Sequence, residues 1–415
     1  MKTLRLALVF LGVVPACASA WDDEWLDRLD ATLTRAADDG AWRARLSGVV
    51  EVNYYRFDQP APGLIEAQGR SLFDPRLVLF LDAQAGARCY FFAQARLDGG
   101  FDPGAHDGGV RLDEYALRIR AGEAERLVFQ VGKFATVVGQ WVKRHQAWDN
   151  PFVFAPLAYE NPTGIFDETA ARSATVLRSW AHVGVPFAPA PGDEYRVPVI
   201  WGPSYASGAS VAGRSEHFDY ALELKNTALS SRPEAWDATH TQWQNPAWHA
   251  RLGWRPDLRW NFGVSFGAGA YLRDSAARTL PAGRSLADYR QTTLGFDASF
   301  AWRHWQLWAE GYRARFAIPG VGDADTFVGF IEAKYKFTPQ LFGAVRWNRQ
   351  TFGDVPDDVT RRPLPWGADE SRLDFAAGYR FTPHTELKLE CDLERGRAGT
   401  GGGATTFAAQ FVLRF

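Results

Sequence analysis

Five arginines lie on neighbouring segments early in the chain, and together they could act on charged solutes. Arg76, Arg88, Arg96, Arg118 and Arg120 fall on segments that we interpret as three consecutive strands. Side chains two positions apart on a strand point to the same side. A guanidinium group stays charged at any physiological pH. We therefore predict that these five groups form a positive wall in a water-filled interior.

A second group of charged residues lies between residues 139 and 168. This segment has prolines at positions 151, 156 and 162 and many aromatic residues, which need other groups to pack against. Connections of this length usually serve a function. We predict that the segment folds into the interior and narrows it, the alternative being an external cap or a contact between subunits. Its water-facing charged residues would be Lys143, Arg144, His145, Asp149, Glu160 and Asp167.

The predicted inward faces carry equal numbers of basic and acidic residues, so the interior has no overall sign. The acids are concentrated on two late segments, where Asp374, Glu390, Asp392 and Glu394 are found. We therefore expect a field across the interior and only weak selectivity for charge.

No catalytic motif lies in the setting that its chemistry needs. The sequence has no HExxH motif, its GxSxG match, GVSFG at residues 263–267, lies within a predicted strand and not at a strand-to-helix turn, and GTGGG at residues 399–403 lacks the lysine of a phosphate-binding loop. We predict that the protein is not an enzyme and has no cofactor and no metal. A lipid hydrolase remains the less favoured alternative, because a Ser, a His and an acid need only be close in space.

The elements that position these residues are strands, since apolar and polar residues alternate over most of the chain. In the C-terminal stretch TTFAAQFVLRF, Phe407, Phe411 and Phe415 fall on one face and Thr406 and Gln410 on the other. Such a strand needs an apolar environment on one side and water on the other.

Gap lengths indicate how the strands are arranged. Short and long gaps alternate and aromatic residues gather near strand ends, as in bacterial outer-membrane barrels and unlike a soluble sandwich. We predict an all-β, transmembrane antiparallel β-barrel of about 16 strands, in which residues 139–194 form one long loop and residues 195–212 one strand. The count becomes 18 if residues 172–187 and 205–213 each add a strand.

The N-terminus predicts export. Lys2 and Arg5, an apolar run and the Ala18–Ala20 triplet make residues 1–20 a signal peptide. A lipidated Cys17 is the alternative. Residues 21–42 are predicted to form a short helical segment in the periplasm, and residues 43–415 the barrel.

Charge and hydropathy argue against a nucleic-acid-binding protein and against a membrane protein with spanning helices. Residues 1–20 hold two of the 46 basic residues, so 44 basic and 48 acidic side chains remain, a formal net charge of −4 that does not suggest a nucleic-acid partner. No later segment approaches the ~18 consecutive apolar residues that a membrane-spanning helix needs.

Two segments resemble a known family. VRLDEYALRIRAGEAERLVFQVGKFATVVGQW, residues 110–141, and FDYALELKN, residues 218–226, resemble outer-membrane porins, especially the phosphate-selective porin group and its relatives. As a pattern of strands the resemblance extends over residues 43–415. The sequence departs from that group after VGKF, where ATVVGQW replaces a Pro-Phe-Gly type of turn, and it shows no lysine-rich ladder. The resemblance therefore does not extend to phosphate as the solute.

This resemblance implies the function that we expect. Porins allow small hydrophilic solutes to diffuse through a barrel, often a homotrimer, that is narrowed by an inward loop. The family also implies that the barrel-assembly machinery recognises Phe415. We expect a weakly charge-selective porin among the outer-membrane lipids of a Gram-negative-type bacterium. A specific channel for polysaccharides or aromatic compounds is the alternative, because Tyr90, Phe92, Phe330 and Phe342 would face inward.

Overall fold

The computed structural model describes most of the chain beyond its first residues. The described residues are 23–65, 67, 69–98, 110–122, 126–182, 196–233, 243–318, 320–397 and 402–415. The predicted signal peptide, residues 1–20, lies outside them. The helices are α1 (Glu24–Leu33), α2 (Leu157–Glu160) and α3 (Ala174–Trp180), with 3₁₀ turns at Trp141–Arg144, Asp274–Thr279 and Leu286–Asp288. In the described part of the chain, no helix is long and apolar enough to cross a membrane.

Sixteen long antiparallel strands form one closed barrel. They are β2 (Trp42–Phe57), β3 (Ser71–Ala85), β4 (Cys89–Leu97), β5 (Val110–Arg120), β6 (Val128–Phe134), β7 (Ala206–Arg214), β8 (Phe218–Lys225), β9 (Ala247–Trp254), β10 (Trp260–Ala270), β11 (Arg290–Trp302), β12 (Trp305–Ile318), β13 (Gly322–Lys336), β14 (Leu341–Phe352), β17 (Glu370–Arg380), β18 (Thr385–Arg395) and β19 (Gly403–Arg414). Three short strands, β1 (Thr34–Ala36), β15 (Asp354–Pro356) and β16 (Pro363–Pro365), lie outside this set.

The predicted count of 16 strands is confirmed, and the alternative of 18 is wrong. Within residues 172–187, the segment Ala174–Trp180 forms the helix α3 rather than a strand. Residues 205–213 largely coincide with β7, which the count of 16 already needs to join β6 to β8.

Side chains on the outside of the barrel are apolar, and those on the inside are polar. On β11, Leu294 and Phe296 are 62% and 53% exposed, whereas Thr293 and Asp297 are 1% and 2% exposed. A water-soluble sheet would place its apolar side chains on the buried face instead. The outer surface is therefore suited to lipid.

Aromatic rings gather at the end of the barrel where the turns are short, which we call the short-turn end. Trp254 and Trp260 flank the turn between β9 and β10, and Trp260 stacks on Phe262 with ring centres 5.3 Å apart. Trp305 lies 4.7 Å from Tyr335 beside the β11–β12 turn. Such a ring of amphipathic side chains is typical of the boundary between lipid and water.

β19 and β2 close the barrel at a seam that ends on the last residue. The backbone N–H of Phe415 donates to the carbonyl of Gly48 at 3.0 Å, and the N–H of Gly48 donates back at 2.9 Å. A Cβ added to Gly48 would lie 2.5 Å from the Phe415 ring, so the missing side chain makes room for that ring.

The helix α1 is attached to the short-turn end of the barrel. Asp27 accepts a hydrogen bond from His384, in the turn between β17 and β18, at 2.9 Å. Arg45 of β2 pairs with Asp30 at 2.8 Å. The predicted helix is thus present, and these two contacts hold it against the short-turn end of the barrel.

The described residues of the connection between β6 and β7, residues 135–182 and 196–205, lie inside the barrel, and we call them the lumen loop. Its apolar residues pack with inward-facing residues of β12 and β13 in one buried cluster. The prediction that residues 195–212 form a single strand is wrong, because β7 begins only at Ala206. Val197, Val199 and Ile200, each at most 1% exposed, pack in the buried cluster inside the barrel rather than against lipid.

Candidate pore constriction

The lumen loop crosses the barrel and attaches first to β12. The backbone N–H groups of Gln140 and Trp141 both donate to one oxygen of Glu310, at 2.9 and 2.6 Å. Glu310 is only 2% exposed. Hydrogen bonds from backbone N–H groups to a buried carboxylate are strong, so this contact fixes where the loop turns.

A glycine makes this attachment possible. Gly139 has a φ of +80°, and a Cβ there would lie 2.2 Å from the hydroxyl oxygen of Tyr312 and 2.3 Å from that of Tyr159. Both hydroxyl groups donate to the other oxygen of Glu310, at 2.6 and 2.5 Å. No other residue type satisfies both the backbone conformation and the space.

Basic residues on the far side of the lumen hold the next part of the loop by its carbonyl groups. Lys388 of β18 donates to Ala147 at 2.6 Å and to Asn150 at 3.0 Å. Arg346 of β14 donates to Phe154 at 3.0 Å. These inward charges fasten the loop and do not face open water.

Three of the six charged residues predicted in the loop form ion pairs with other parts of the chain. The pairs are Arg144 with Glu332 at 2.7 Å, Glu160 with Arg372 at 2.5 Å, and Asp167 with Arg232 at 3.1 Å. Burial raises the pKa of Glu160, although the adjacent guanidinium of Arg372 acts in the opposite direction. The expectation that these side chains are presented to water is wrong for Glu160 and Asp167, which are buried.

The other three charged loop residues differ in their environment. His145 is enclosed, with Nδ1 2.6 Å from the carbonyl of Val142 and Nε2 2.8 Å from the hydroxyl of Tyr205. Burial lowers the pKa of His145, which favours its neutral form. Lys143 and Asp149 are exposed, as predicted.

Two of the predicted arginines lie on the wall that faces the loop, but carboxylates surround them. Arg76 lies 3.3 Å from Asp98 and 3.6 Å from Glu51. Arg96 lies 3.3 Å from Asp98 and 3.2 Å from Asp113. Their charge is therefore balanced locally.

The remaining three arginines lie apart from this pair. Arg118 places its guanidinium 4.4 Å from the centre of the Phe92 ring, and Arg120 is the last residue of β5. Arg88 is exposed in the turn between β3 and β4 and is not on the wall. The prediction of one continuous positive wall is wrong, because the strands distribute these residues over different heights and the nearby acids neutralise Arg76 and Arg96.

Two of these acids, Asp98 and Asp113, were not predicted to face inward. Asp98 directly follows the last residue of β4 and lies two positions after Arg96. Alternation along the strand therefore predicts that Asp98 faces the same side as Arg96. Asp113 is harder to assign, because the β4–β5 register shifts between Gln94 and Ala95. This irregularity turns both Asp113 and Glu114 inward, and alternation alone predicts only one of two neighbours.

A cavity of about 130 Å³ remains between the lumen loop and the wall. Its polar lining comes from both sides: Glu51, Arg76, Gln94 and Arg96 from the wall, and His145, Gln146, Glu160 and Tyr205 from the lumen loop and its end. The cavity has room for several water molecules. Its lining presents both charged groups and neutral hydrogen-bonding groups to small polar molecules.

Comparison by sequence finds no relatives: no protein-family model matches the chain, and no curated protein matches it. Comparison by structure does. OmpF of Salmonella typhi, in complex with daunomycin, matches with a TM-score of 0.55 at 10% identity, covering 92% of this chain and 100% of that one. The fold is that of the outer-membrane porins.

Two further structures share this porin fold. The anion-selective porin from Comamonas acidovorans has a TM-score of 0.52 at 10% identity, over 90% of this chain and 100% of that one. The outer-membrane channel DcaP of Acinetobacter baumannii has a TM-score of 0.51 at 9% identity, over 92% and 99%. At these identities the similarity establishes the architecture, and it does not single out the phosphate-selective group.

Proposed function

We propose that the protein is an outer-membrane porin of a Gram-negative-type bacterium, through which small hydrophilic solutes diffuse. The observation that carries the proposal is the lumen loop, which is attached to β12, β14 and β18 and leaves a polar cavity against the β2–β4 wall. The apolar outer surface supports a location in lipid. The porin fold of the similar structures agrees with both.

The charges around the cavity support weak selectivity. Arg76 and Arg96 share their surroundings with Glu51, Asp98 and Asp113, so the wall presents both signs to a passing ion. Fields of this kind act over short distances, because salt screens them within ~8 Å at physiological ionic strength. We therefore propose that size limits passage more than charge does.

The inward aromatic residues do not favour a specific channel for polysaccharides or aromatic compounds. Phe330 and Phe342 are 2% and 4% exposed and pack within the barrel. Arg118 lies over the rings of Tyr90 and Phe92, at 5.8 and 4.4 Å from their centres. Phe330 and Phe342 therefore present no open face for stacking, and Arg118 occupies one side of the half-buried rings of Tyr90 and Phe92.

We also propose that the protein assembles as a homotrimer among outer-membrane lipids. A similar structure, OmpT of Vibrio cholerae in its trimer form, has a TM-score of 0.51 at 9% identity, over 90% of this chain and 100% of that one. Chemical crosslinking in detergent, followed by mass measurement, tests this assembly separately from transport.

Reconstitution tests the proposed function directly. The barrel, refolded and inserted into planar bilayers, should give discrete ohmic conductance steps, and liposomes containing it should swell in small sugars but not in large ones. Liposomes with heat-denatured protein are the control. Absence of conductance steps from a correctly folded barrel, or equal swelling rates for sugars of all sizes, would contradict the proposal.

A further inference from the structure

Three carboxylates lie together behind the lumen loop, outside the lining of the cavity described above. Asp374 of β17 and Glu390 and Asp392 of β18 each place an oxygen within 4.8 Å of the other two. All three are at most 3% exposed. Negative charges buried this close repel one another strongly unless cations or protons compensate them.

The arginines nearby compensate these charges only in part. Asp374 is well satisfied, with Arg346 at 2.6 Å and Arg372 at 2.9 Å. Glu390 lies 3.7 Å from Arg346. Asp392 forms no ion pair within 4.0 Å and no hydrogen bond with any described residue, and its Oδ1 is buried without a partner.

The wider ion-pair network also has too few cations. Six carboxylates, those of Glu160, Glu332, Asp374, Glu390, Asp392 and Glu394, share four guanidinium groups, those of Arg144, Arg346, Arg372 and Arg397. Lys388 adds one positive charge beside Glu390, although its ammonium donates its hydrogen bonds to the carbonyl groups of Ala147, Asn150 and Phe152. One negative charge is then left over among these residues.

A second observation indicates a ligand at the same place. Thr406 of β19 lies directly opposite Asp392 in the strand register. It is fully buried, and among the described residues its Oγ1 has no hydrogen-bond partner. A buried hydroxyl without a partner is costly, so its position beside an unpaired carboxylate suggests that something else binds both.

We infer that Asp374, Glu390 and Asp392, with Thr406 beside them, bind one divalent cation of the calcium type. Calcium ions take carboxylate and other oxygen ligands at about 2.3–2.6 Å, so two ligands on opposite sides of the ion lie roughly 4.6–5.2 Å apart. The 4.8 Å limit on the three carboxylate oxygens fits this spacing. A divalent ion also supplies the positive charge that this network lacks.

The ion would strengthen the attachment of the lumen loop. Glu390 accepts a hydrogen bond from the backbone N–H of Phe154 at 3.0 Å, and Arg346 donates to the carbonyl of the same residue. A cation that fixes Glu390 therefore also fixes the loop next to the passage. The inference concerns binding and does not depend on which solutes the protein conducts.

Calorimetric titration of the refolded, chelator-treated barrel with CaCl₂ tests the inference. The wild type should bind one Ca²⁺ per chain and unfold at a higher temperature with Ca²⁺ than with EGTA. Asp392→Asn should lower the affinity for Ca²⁺ by at least about tenfold. Asp323→Asn removes a carboxylate that is 56% exposed on β13, and it is the matched control that should bind like the wild type.

A second variant keeps the test decisive if Asp392→Asn fails to fold. Thr406→Val conserves the volume of the side chain and removes only the hydroxyl, so it should weaken Ca²⁺ binding while leaving the barrel folded. No Ca²⁺ binding by the wild type would overturn the inference and would mean that the carboxylates hold protons instead. Unchanged affinity in Asp392→Asn would also overturn it, since the ion would then be bound elsewhere.

Discussion

At the scale of single residues, the charges of the passage are arranged as pairs and not as a one-signed wall. Arg96 lies between Asp98 and Asp113, and Arg76 between Glu51 and Asp98. Each guanidinium thus offsets acids on the same wall, and the selectivity of the passage depends on a balance that one substitution can change.

Replacing Arg96 by Gln should therefore shift selectivity towards cations. The change removes the positive charge that balances the carboxylates of Asp98 and Asp113 beside the cavity. One unit charge acts on a monovalent ion 4 Å away in water with about 1 kcal/mol, in opposite senses for cations and anions, so the cation-to-anion permeability ratio should rise by up to about thirtyfold. The measurement is the reversal potential in a planar bilayer under a salt gradient.

Arg88→Gln is the matched control for this experiment, because Arg88 is exposed in a turn and lies off the wall. It removes the same charge from the chain and should leave the reversal potential unchanged. Equal shifts in the two variants would mean that the overall charge of the protein matters and not the local wall. No shift in Arg96→Gln would place Arg96 outside the conducting path.

At the scale of elements, the lumen loop depends on a few positions where the backbone and its surroundings fit closely. Gly139→Ala should loosen its attachment, because alanine at a positive φ costs about 1–3 kcal/mol and its Cβ would collide with the hydroxyl groups of Tyr159 and Tyr312. We expect larger and noisier conductance steps and faster proteolysis within the loop, with the barrel still folded.

Gly86→Ala separates the cost of alanine at a positive φ from the cost of the collision with the tyrosine hydroxyl groups. Gly86 also has a positive φ, +57°, but a Cβ there meets nothing within 4 Å. It should carry the backbone cost alone and leave conductance unchanged. If Gly139→Ala behaves like this control, the contact with Glu310 does not hold the loop in the lumen.

The sequence predicted the strands and the existence of the lumen loop for reasons that can be stated in physical terms. Strands with alternating apolar and polar residues, joined by connections that are alternately short and long, are best arranged as a closed antiparallel barrel. The aromatic residues of the loop require other groups to pack against. The end of the loop could not be predicted, since Val197 and Val199 are two positions apart, as residues on one face of a strand are. Only the packed interior decides which surface such a pattern faces.

The ion-pair network was also beyond reach of the sequence. Alternation places Asp374, Glu390 and Asp392 on inward faces, but it does not show that the lumen loop covers them. Whether an inward charge faces water or is buried depends on contacts between residues as distant as Glu160 and Arg372. Such contacts decide the chemistry of the site and leave no local signal.

At the scale of the whole molecule, the barrel is complete only when the last residue pairs with β2. Phe415 forms two backbone hydrogen bonds with Gly48, and its ring lies over that glycine. The terminal residue therefore has a structural role at the seam, and it is also the residue that we propose the barrel-assembly machinery recognises.

Deleting Phe415 should reduce the amount of assembled barrel in the outer membrane without reducing export, and refolding in detergent can distinguish its two roles. If recognition dominates, the truncated chain should refold in detergent nearly as well as the full chain, because only the final pair of seam hydrogen bonds is lost, each worth about 0.5–1.5 kcal/mol. If the seam dominates, refolding should fail too.

Gly48→Val supplies the complementary case: it keeps the terminal Phe415 but crowds its ring, so it should impair refolding in detergent more than the deletion does. The measurements are heat-modifiable migration of the protein from outer membranes and from detergent, with the periplasmic amount as the measure of export. Normal assembly of the truncated chain in cells would show that Phe415 serves neither role.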